Sequence, residues 1–334
     1  MTIDRRTMLE LAAGAAVLGA ARAEAQTVGP AIGSGLPAGL PEPTETIDLW
    51  PKGAPGMRAS PPLVETILER STDPQISDRA VQYVTRPRMA VFRPIRPNGA
   101  AVLVTPGGGY RWVVVDKEGY EIGRWLSARG FTVFVLFYRL PGDGWAAGPD
   151  VPLADAQRAM RLIRHRAQEY AIEPERVAAM GFSAGGHVCC DLLTRYGVKT
   201  YEPVDAADKL SARPMLAAPI YPVVTVSAPY AHPGSRKELV GEKAGPELEA
   251  AHSPERNVHK NVPPTFIVHA EDDDTIPVEN AVMLHDALRA AKVPVEMHLF
   301  TNGGHGFGIR KVIGRPAGIW PELFVNWAQS QGLY

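Results

Sequence analysis

The sequence predicts one α/β domain with a largely parallel sheet. Strand-like and helix-like segments alternate from about residue 100 to residue 329. Such alternation requires crossover connections between parallel strands, with helices on both faces of the sheet. Phe131–Tyr138 is an unbroken apolar run, which is typical of a strand covered on both faces. The composition, 45% hydrophobic and 21% charged over 334 residues, fits a globular protein with a sizeable core.

The N-terminal residues 1–25 are predicted to be an export signal of the twin-arginine type. A twin arginine in Arg5–Leu9 precedes the alanine-rich apolar run Leu11–Ala21, and the small-x-small site Ala23–Ala25 follows. A charged start, an apolar middle and a small-residue exit are typical of a secretory signal, and the paired arginines favour the twin-arginine route. An amphipathic N-terminal helix is the alternative. The mature protein is therefore expected to be periplasmic or secreted.

Residues 26–47 are rich in proline and glycine and predict a spacer, so the folded domain is expected over residues 48–334. Val81–Val84 and Met89–Phe92 are expected to form an antiparallel pair, because both alternate and have prolines nearby. Apolar runs predict the later strands Ala100–Val104, Phe131–Tyr138, Val177–Met180, Ala217–Val226, Thr265–His269 and Val295–Phe300. Helical spacing predicts Glu118–Arg129, Leu153–Tyr170, Gly185–Tyr196, Val278–Ala291 and Ile319–Gln329. Residues 228–262, with many prolines, glycines and charges, predict an insertion or lid-like segment.

Charge and hydropathy exclude two classes of partner. The net charge is −1 without a basic block, whereas a nucleic-acid partner would call for clustered Lys and Arg. No apolar run of the predicted mature chain is long enough to cross a bilayer.

The pentapeptide Gly181-Phe182-Ser183-Ala184-Gly185 follows a predicted buried strand and precedes a predicted helix. In a Gly-x-Ser-x-Gly sequence of this kind, the serine lies on a tight strand-to-helix turn that exposes its hydroxyl. The flanking glycines avoid collisions with neighbouring backbone. The sequence therefore predicts that Ser183 is a nucleophile. The alternative is a helix N-cap serine with incidental glycines.

A serine nucleophile needs a base and an acid that orients the base. Downstream, FIVHAEDDDTIP is a strand that runs into an acidic loop, and LFTNGGHGFG is a strand that runs into a glycine-flanked histidine. The chain order Ser, Asp, His predicts His305 as the base and Asp273 as the acid. Asp272 and Asp274 stay open as the acid. A solvated turn or a weak calcium site is the alternative for the three aspartates.

A glycine loop follows the strand Ala100–Val104, and Gly107 begins it. Acyl transfer needs N–H donors for the developing oxyanion. The predicted donors are the N–H groups of Gly108 or Gly109 and that of Ala184. The side chains that follow this loop, Tyr110, Arg111 and Trp112, are predicted to bind a sugar or aryl ring of the substrate, with simple packing as the alternative.

With these residues assembled, the chain resembles α/β-hydrolases of the bacterial feruloyl esterase-like and acetyl xylan esterase-like group (BD-FAE). The resemblance begins near Asp48, and six ordered blocks carry it: PGGGYRW…DKEGYE, FVLFYRLPG, LADAQRAMRLIR, MGFSAGGH, HAEDDDTIPVENA and GGHGFG. It implies an α/β-hydrolase fold with Ser183, Asp273 and His305 as the triad and Gly108 and Gly109 in the oxyanion loop. Thr105-Pro106 stands where lipases carry a histidine before the glycines, which disfavours a long-chain lipase.

The predicted function is therefore a serine carboxylesterase that hydrolyses short-chain acyl or feruloyl esters of carbohydrates such as xylan. No metal ion or organic cofactor is required, and the expected partner is a small-molecule or polysaccharide ester substrate. Two alternatives stay open. One is a serine peptidase of the prolyl-oligopeptidase type, although no propeller repeat precedes the domain. The other is a non-catalytic binding protein on a hydrolase scaffold.

Overall fold

The computed structural model describes residues 43–57 and 62–334. The predicted export signal and all of the predicted spacer except residues 43–47 lie outside the described residues. The first strand, β1, begins at Glu45, so the folded part starts within the predicted spacer rather than at residue 48. The described residues belong to one compact unit.

A sheet of eight strands forms the centre of the molecule. In spatial order these strands are β1 (Glu45–Asp48), β4 (Arg88–Phe92), β7 (Thr132–Phe137), β5 (Ala101–Thr105), β8 (Val177–Phe182), β9 (Ala217–Ile220), β10 (Thr265–Ala270) and β11 (Val295–Phe300). The last six strands in this spatial order, β7, β5, β8, β9, β10 and β11, pair in parallel. The other two, β1 and β4, are antiparallel to their neighbours. Every residue of β5, β7, β8 and β10 is buried, so both faces of the sheet centre are covered.

Within the described residues, seven α-helices connect or flank these strands: α1 (Glu121–Ser127), α2 (Val151–His165), α3 (Ser183–Arg195), α4 (Pro233–Val240), α5 (Pro246–Ala251), α6 (Glu279–Ala290) and α7 (Trp320–Ser330). A π-helical turn, Asp116–Tyr120, leads directly into α1. The sequence places the five predicted helices correctly, with ends that shift by a few residues. The predicted helix Leu153–Tyr170 is shorter in the structure, since α2 ends at His165 and a separate 3-10 turn, Ala167–Tyr170, follows.

The predicted antiparallel pair of early strands is wrong. A second, antiparallel sheet contains β2 (Thr66–Glu69), β3 (Arg79–Gln82) and β6 (Val113–Val114). The strand β3 lies in this small sheet, whereas β4 lies in the large one. The two separate because the chain turns between them at Tyr83, whose φ is 54°. A short alternating pattern predicts that a strand forms, but it does not name the strand's partner.

The predicted strand Ala217–Val226 is also too long. The strand β9 ends at Ile220, and Tyr221 leaves the strand conformation with a φ of 35°. The apolar residues that follow are buried in a loop rather than in the sheet. Buried Asn280 accepts hydrogen bonds from the N–H groups of Val224 and Thr225, so this loop satisfies its backbone without a strand partner.

A buried ion pair fixes the start of the domain against the sheet. The guanidinium of Arg139, 1% exposed, donates to both carboxylate oxygens of fully buried Asp155. Trp50 Nε1 donates to the same carboxylate at 2.8 Å, and Arg139 Nη1 donates to the carbonyl of Pro55 at 2.7 Å. Removing one partner of such a pair typically costs about 3–5 kcal/mol, because the remaining charge stays buried.

Candidate active site

Ser183 lies at the junction of β8 and α3 in a left-handed backbone conformation, with a φ of 54°. A Cβ atom on Gly185 would collide with the carbonyl oxygens of Thr105 and Pro106. One on Gly181 would lie 2.5 Å from Thr105 Oγ1 and would also collide with the Gly185 carbonyl. The two glycines are therefore needed for the tight turn, as predicted from the pentapeptide.

The structure brings the three predicted triad residues together. Ser183 Oγ lies 2.8 Å from His305 Nε2, and His305 Nδ1 lies 2.7 Å from Asp273 Oδ2. Each residue follows the carboxyl end of a strand: the serine follows β8, the aspartate follows β10 and the histidine follows β11. Because these strands are parallel, their carboxyl ends meet at one edge of the sheet, which is where open α/β sheets bind ligands.

The surroundings of Asp273 keep its carboxylate ionised. Burial alone would raise the pKa of Asp273, but hydrogen bonds from His269 and His305 and from the Ile276 N–H hold that pKa well below its ordinary value. The second carboxylate oxygen accepts from the N–H groups of Thr275 at 3.0 Å and Ile276 at 2.8 Å. An ionised carboxylate can only accept, so His305 Nδ1 carries the proton and Nε2 accepts from the serine hydroxyl.

The two neighbouring aspartates make other contacts. Asp272 Oδ1 accepts from the N–H groups of Gly303 at 2.8 Å and Gly304 at 2.7 Å, and thereby holds the loop that leads to the histidine. Asp274 is exposed and accepts from the hydroxyl of Thr275 at 3.1 Å. Neither contacts the imidazole, so the geometry favours the middle aspartate of the three as the acid.

The glycine loop after β5 carries two of the N–H groups that are predicted as oxyanion donors. The Gly107 N–H donates to the buried carboxylate of Glu118 at 2.9 Å and is therefore occupied. The N–H groups of Gly108 and Gly109 have no acceptor within the part of the chain that the structure describes. Ala184 is the second residue of α3, where N–H groups have no acceptor inside the helix. These three N–H groups are available for an oxyanion.

Tyr110 does not fit its predicted role as a substrate contact. Its side chain is 1% exposed, and its hydroxyl lies 2.7 Å from His187 Nδ1. The backbone of Tyr110, with a φ of 61°, turns the ring inward. The prediction that Tyr110 binds substrate is wrong, because the ring is part of the core beneath the glycine loop.

Arg111 and Trp112 are compatible with the prediction. Arg111 is exposed, and its guanidinium carbon lies 5.1 Å from the centre of the partly exposed Trp112 ring. A Cβ atom on Gly108 would lie 2.5 Å from Trp112 Cδ1, so the indole lies directly against the glycine loop. Substrate binding by these two side chains stays a prediction.

The predicted lid-like segment, residues 228–262, contains α4 and α5 and lies beside the site. A Cβ atom on Gly109 would be 4.0 Å from Ser235 Oγ, which brings the first turn of α4 against the glycine loop. The segment therefore forms a wall of the site. Its movement as a lid stays a prediction.

His232 is a site residue that the sequence did not reveal. Its Nδ1 accepts from the Ser235 N–H at 3.1 Å, which caps α4 and leaves the ring proton on Nε2. Burial lowers the pKa of His232. The charge of His305 lowers that pKa further, and the charge of Asp273 opposes the change. No strand precedes His232 and no glycine flanks it closely enough to suggest a site. The one sequence feature that marks His232 is its position directly before Pro233, the first residue of α4.

Among the described residues, no group of three or more His, Cys, Asp or Glu side chains is arranged to hold a metal ion. None of the helices in residues 43–57 and 62–334 is both long and apolar enough to span a bilayer.

Comparison with known proteins identifies the family. The BD-FAE family model matches residues 94–288, more than half of the chain. The chain belongs to the BD-FAE family. It is 37% identical over 231 residues to a protein named endo-1,4-beta-xylanase B of Butyrivibrio fibrisolvens, covering 69% of this chain and 34% of that protein. It is 32% identical over 226 residues to an acetylxylan esterase of Xylanibacter ruminicola, covering 66% of this chain and 44% of that protein. The chain thus spans less than half the length of these two relatives.

A solved structure agrees with this family. The acetyl ester-xyloside bifunctional hydrolase from Caldicellulosiruptor lactoaceticus superposes with a TM-score of 0.68 at 30% identity, covering 89% of this chain and 99% of that one. The predicted family and the predicted fold, an α/β-hydrolase with a mostly parallel sheet, are confirmed. The names of the acetylxylan esterase and of the acetyl ester-xyloside hydrolase agree with the predicted enzyme class, a carboxylesterase or acetyl xylan esterase-like hydrolase. The Butyrivibrio fibrisolvens relative is named as a xylanase instead.

Proposed function

We propose that this BD-FAE protein is a serine carboxylic ester hydrolase in which Ser183, His305 and Asp273 act as a catalytic triad. One observation carries the proposal: Ser183 Oγ is 2.8 Å from His305 Nε2, and His305 Nδ1 is 2.7 Å from Asp273. A serine hydroxyl becomes an effective nucleophile when a base takes its proton, and an imidazole oriented by a carboxylate is such a base.

Acylation begins when Ser183 Oγ attacks the ester carbonyl carbon and His305 Nε2 takes the hydroxyl proton. The imidazolium is stabilised by ionised Asp273 at its other nitrogen. When the tetrahedral intermediate collapses, the bond to the alcohol breaks, and His305 gives its proton to the leaving oxygen. The acyl group remains on Ser183 as an ester.

Deacylation repeats these steps with water as the nucleophile. His305 takes a proton from a water molecule that attacks the acyl carbon, and then returns that proton to Ser183 Oγ as the acid leaves. In both halves the negative charge develops on the former carbonyl oxygen. The available N–H groups of Gly108, Gly109 and Ala184 are the proposed donors to it, and each such donor is typically worth about 3 kcal/mol of barrier.

The proposed substrates are acetyl or feruloyl esters of a carbohydrate such as xylan. Support comes from the relative named an acetylxylan esterase and from the structure named an acetyl ester-xyloside bifunctional hydrolase. The exposed Arg111 and the partly exposed Trp112 beside the glycine loop offer a flat surface for a sugar or aryl ring.

The names of two relatives also suggest cleavage of xylosidic bonds. Glycoside hydrolysis ordinarily needs two carboxyl groups that face the scissile bond from its two sides. The carboxylates in contact with the glycine loop and with His305 are those of Glu118 and Asp273. Both are buried, and both accept hydrogen bonds from neighbouring protein groups. We therefore propose ester hydrolysis at this site rather than glycoside hydrolysis.

The test is hydrolysis of p-nitrophenyl acetate by residues 26–334, with Ser183→Ala as the matched variant. The wild type is expected to turn over the ester, and Ser183→Ala is expected to lose at least about 10³-fold in kcat, since triad members act as a unit. Acetylated xylan and methyl ferulate, tested in parallel, rank the natural esters.

Circular dichroism of both proteins controls for folding. A folded Ser183→Ala protein that keeps wild-type turnover would overturn the proposal. Hydrolysis of peptide p-nitroanilides in place of esters would favour the peptidase alternative. A folded wild type that reacts with no ester, no p-nitroanilide and no active-serine phosphonate would favour the binding-protein alternative.

We also propose that the protein is exported through the twin-arginine signal in residues 1–25. Replacing both Arg5 and Arg6 by lysine is expected to keep the full-length protein in the cytoplasm. Cell fractionation in the native or a related bacterium measures this, and unchanged export of the double variant would contradict it.

A further inference from the structure

Glu118 connects the two loops that carry the proposed oxyanion donors and the proposed base. The side chain lies on the π-helical turn and is 2% exposed. Its Oε2 accepts from the Gly107 N–H at 2.9 Å, and its Oε1 accepts from the Tyr221 hydroxyl at 3.1 Å. The same hydroxyl accepts from the Gly308 N–H at 3.0 Å. One carboxylate thus joins the glycine loop after β5 to the loop after β11.

The arrangement satisfies a buried charge. Lys117 Nζ, on a side chain that is also buried, lies 3.9 Å from Glu118 Oε1. Buried carboxylates are costly unless they are paired and hydrogen-bonded. Burial, and then the Glu118 charge, raise the pKa of Tyr221 well above its ordinary value, so the hydroxyl stays protonated and donates.

Both ends of this connection lie next to the reacting groups. A Cβ atom on Gly107 would be 2.6 Å from Glu118 Oε2 and 2.8 Å from Ser183 Cβ, so the carboxylate and the proposed nucleophile both pack against Gly107. At the other end, the centre of the Tyr221 ring is 5.3 Å from that of His305. Neither contact requires substrate.

We propose that Glu118 is a positioning residue that fixes the glycine loop and the His305 loop relative to each other. It acts through Gly107 on one side and through Tyr221 and Gly308 on the other. It fixes the orientation of the Gly107 peptide, which leaves the following N–H groups for the oxyanion. Donors of this kind act only when they are aligned before the reaction, and a displacement of about 1 Å can cost about 10²-fold in rate. The inference rests on the proposed esterase function.

The test uses Glu118→Gln and Tyr221→Phe. Glutamine keeps the shape and one acceptor but loses the charge and the second acceptor. Phenylalanine keeps the ring against His305 and loses only the hydroxyl. Each variant is expected to lose about 10–100-fold in kcat for p-nitrophenyl acetate with KM within about twofold, since the ground-state contacts are untouched. The inhibition constant of phenyl trifluoromethyl ketone, which forms a tetrahedral adduct with the serine, is expected to rise in parallel with the loss of kcat/KM.

The double variant Glu118→Gln/Tyr221→Phe tests whether the two residues form one connection. If they do, the kcat of the double variant is expected to equal that of the less active single variant, because the effects of substitutions within one network do not add. Multiplicative losses would overturn the connection between them.

Glu121→Gln is the matched control for the carboxylate. Glu121 is a buried glutamate three residues further along the chain, and its Oε1 accepts from Arg310 Nη1 at 2.6 Å rather than from Gly107 or Tyr221. Tyr334→Phe is the control for a lost hydroxyl, since its hydroxyl donates to the carbonyl of Val325 at 3.1 Å. Both controls are expected to keep kcat within about twofold of wild type, as substitutions outside the reacting groups usually do.

Wild-type kcat in folded Glu118→Gln and Tyr221→Phe would overturn the inference. So would a rise in KM at constant kcat, or an equal loss of kcat in Glu121→Gln. If Glu118→Gln fails to fold by circular dichroism, Tyr221→Phe decides alone. Ser183→Ala separates the two proposals: if it stays fully active, the esterase proposal fails, whereas an inactive Ser183→Ala beside an unaffected Glu118→Gln removes only the positioning role.

Discussion

Two histidines flank Ser183, and their surroundings differ sharply. His305 reaches the serine from the loop after β11, contacts ionised Asp273, and keeps 18% of its side chain exposed. His187 lies four residues after the serine on α3 and is fully buried. The imidazole that is closer along the chain is therefore not the one that contacts the nucleophile.

The contacts of His187 suit a fixed, neutral ring. Its Nε2 lies 2.8 Å from the carbonyl oxygen of His252, which can only accept, so Nε2 carries the proton. Its Nδ1 then accepts from the Tyr110 hydroxyl at 2.7 Å. Burial lowers the pKa of His187 to about 4, and the hydrogen bond to the His252 carbonyl only partly offsets this effect.

The comparison shows what separates a base from a structural histidine on one scaffold. A base needs a partner that stabilises the imidazolium and access to the substrate. The proposed base, His305, contacts Asp273 and is partly exposed. His187 has neutral partners on both nitrogens and no access to solvent. It connects α3 to the buried ring of Tyr110, directly after the glycine loop, and so contributes to the loop's position rather than to proton transfer.

The largest expected effect is that of replacing His305, and comparison with a His187 variant tests whether the two histidines differ in role. His305→Ala is expected to lose at least about 10⁵-fold in kcat for p-nitrophenyl acetate, because the serine loses its proposed base. His187→Gln is expected to lose less than about 10-fold, since glutamine keeps a donor for the His252 carbonyl and an acceptor for the Tyr110 hydroxyl. Steady-state kinetics on folded variants measures both. Equal losses in the two variants would contradict the distinction.

The next effect sharpens the role of the acid. Asp273→Asn keeps the shape of the side chain but removes the charge that holds the Nδ1 proton, and such a change typically lowers kcat by about 10⁴-fold. The adjacent Asp272→Asn is the matched control. Its carboxylate accepts from the N–H groups of Gly303 and Gly304 rather than from His305, so a loss of less than about 10-fold is expected. The reverse ranking of the two variants would assign the acid to Asp272.

The sequence was sufficient to bring the three proposed triad residues to one place because each of them depends on local features. Ser183 needs small neighbours on a tight turn, and Gly181 and Gly185 can be identified directly in the sequence. Asp273 and His305 each follow a strand, and the parallel arrangement of those strands brings their ends together. The rule that strand ends converge is general, so it needed no knowledge of side-chain packing.

The residues that were mispredicted or missed depend on contacts between distant segments. The orientation of Tyr110 is set by His187, 77 residues away, and by a left-handed backbone that no local pattern requires. The role proposed for Glu118 depends on Tyr221, 103 residues away. The DKEGYE block contributes to the family resemblance, but its sequence does not indicate which backbone N–H group the Glu118 carboxylate binds.

The smallest expected effect tests His187 through stability rather than activity. The folded pKa of His187 is about 4, and its ordinary value is 6.5. Above pH 6.5 neither state binds the proton, so the free energy of unfolding is at its full value. As the pH falls from 6.5 toward 4, the unfolded chain takes up a proton that the folded chain excludes, and stability is lost. By pH 5 this loss amounts to about 2 kcal/mol.

Urea unfolding of the wild type and of His187→Gln at pH 7.5 and pH 5 measures this contribution. Other histidines and carboxylates titrate in both proteins and cancel in the comparison. The stability advantage of the wild type over the variant is therefore expected to shrink by about 2 kcal/mol between the two pH values. His165→Gln, which replaces an exposed histidine on α2, controls for the loss of an imidazole as such. An advantage that stays constant with pH would mean that His187 is not held neutral by burial, and the contrast with His305 would then rest on the carboxylate partner alone.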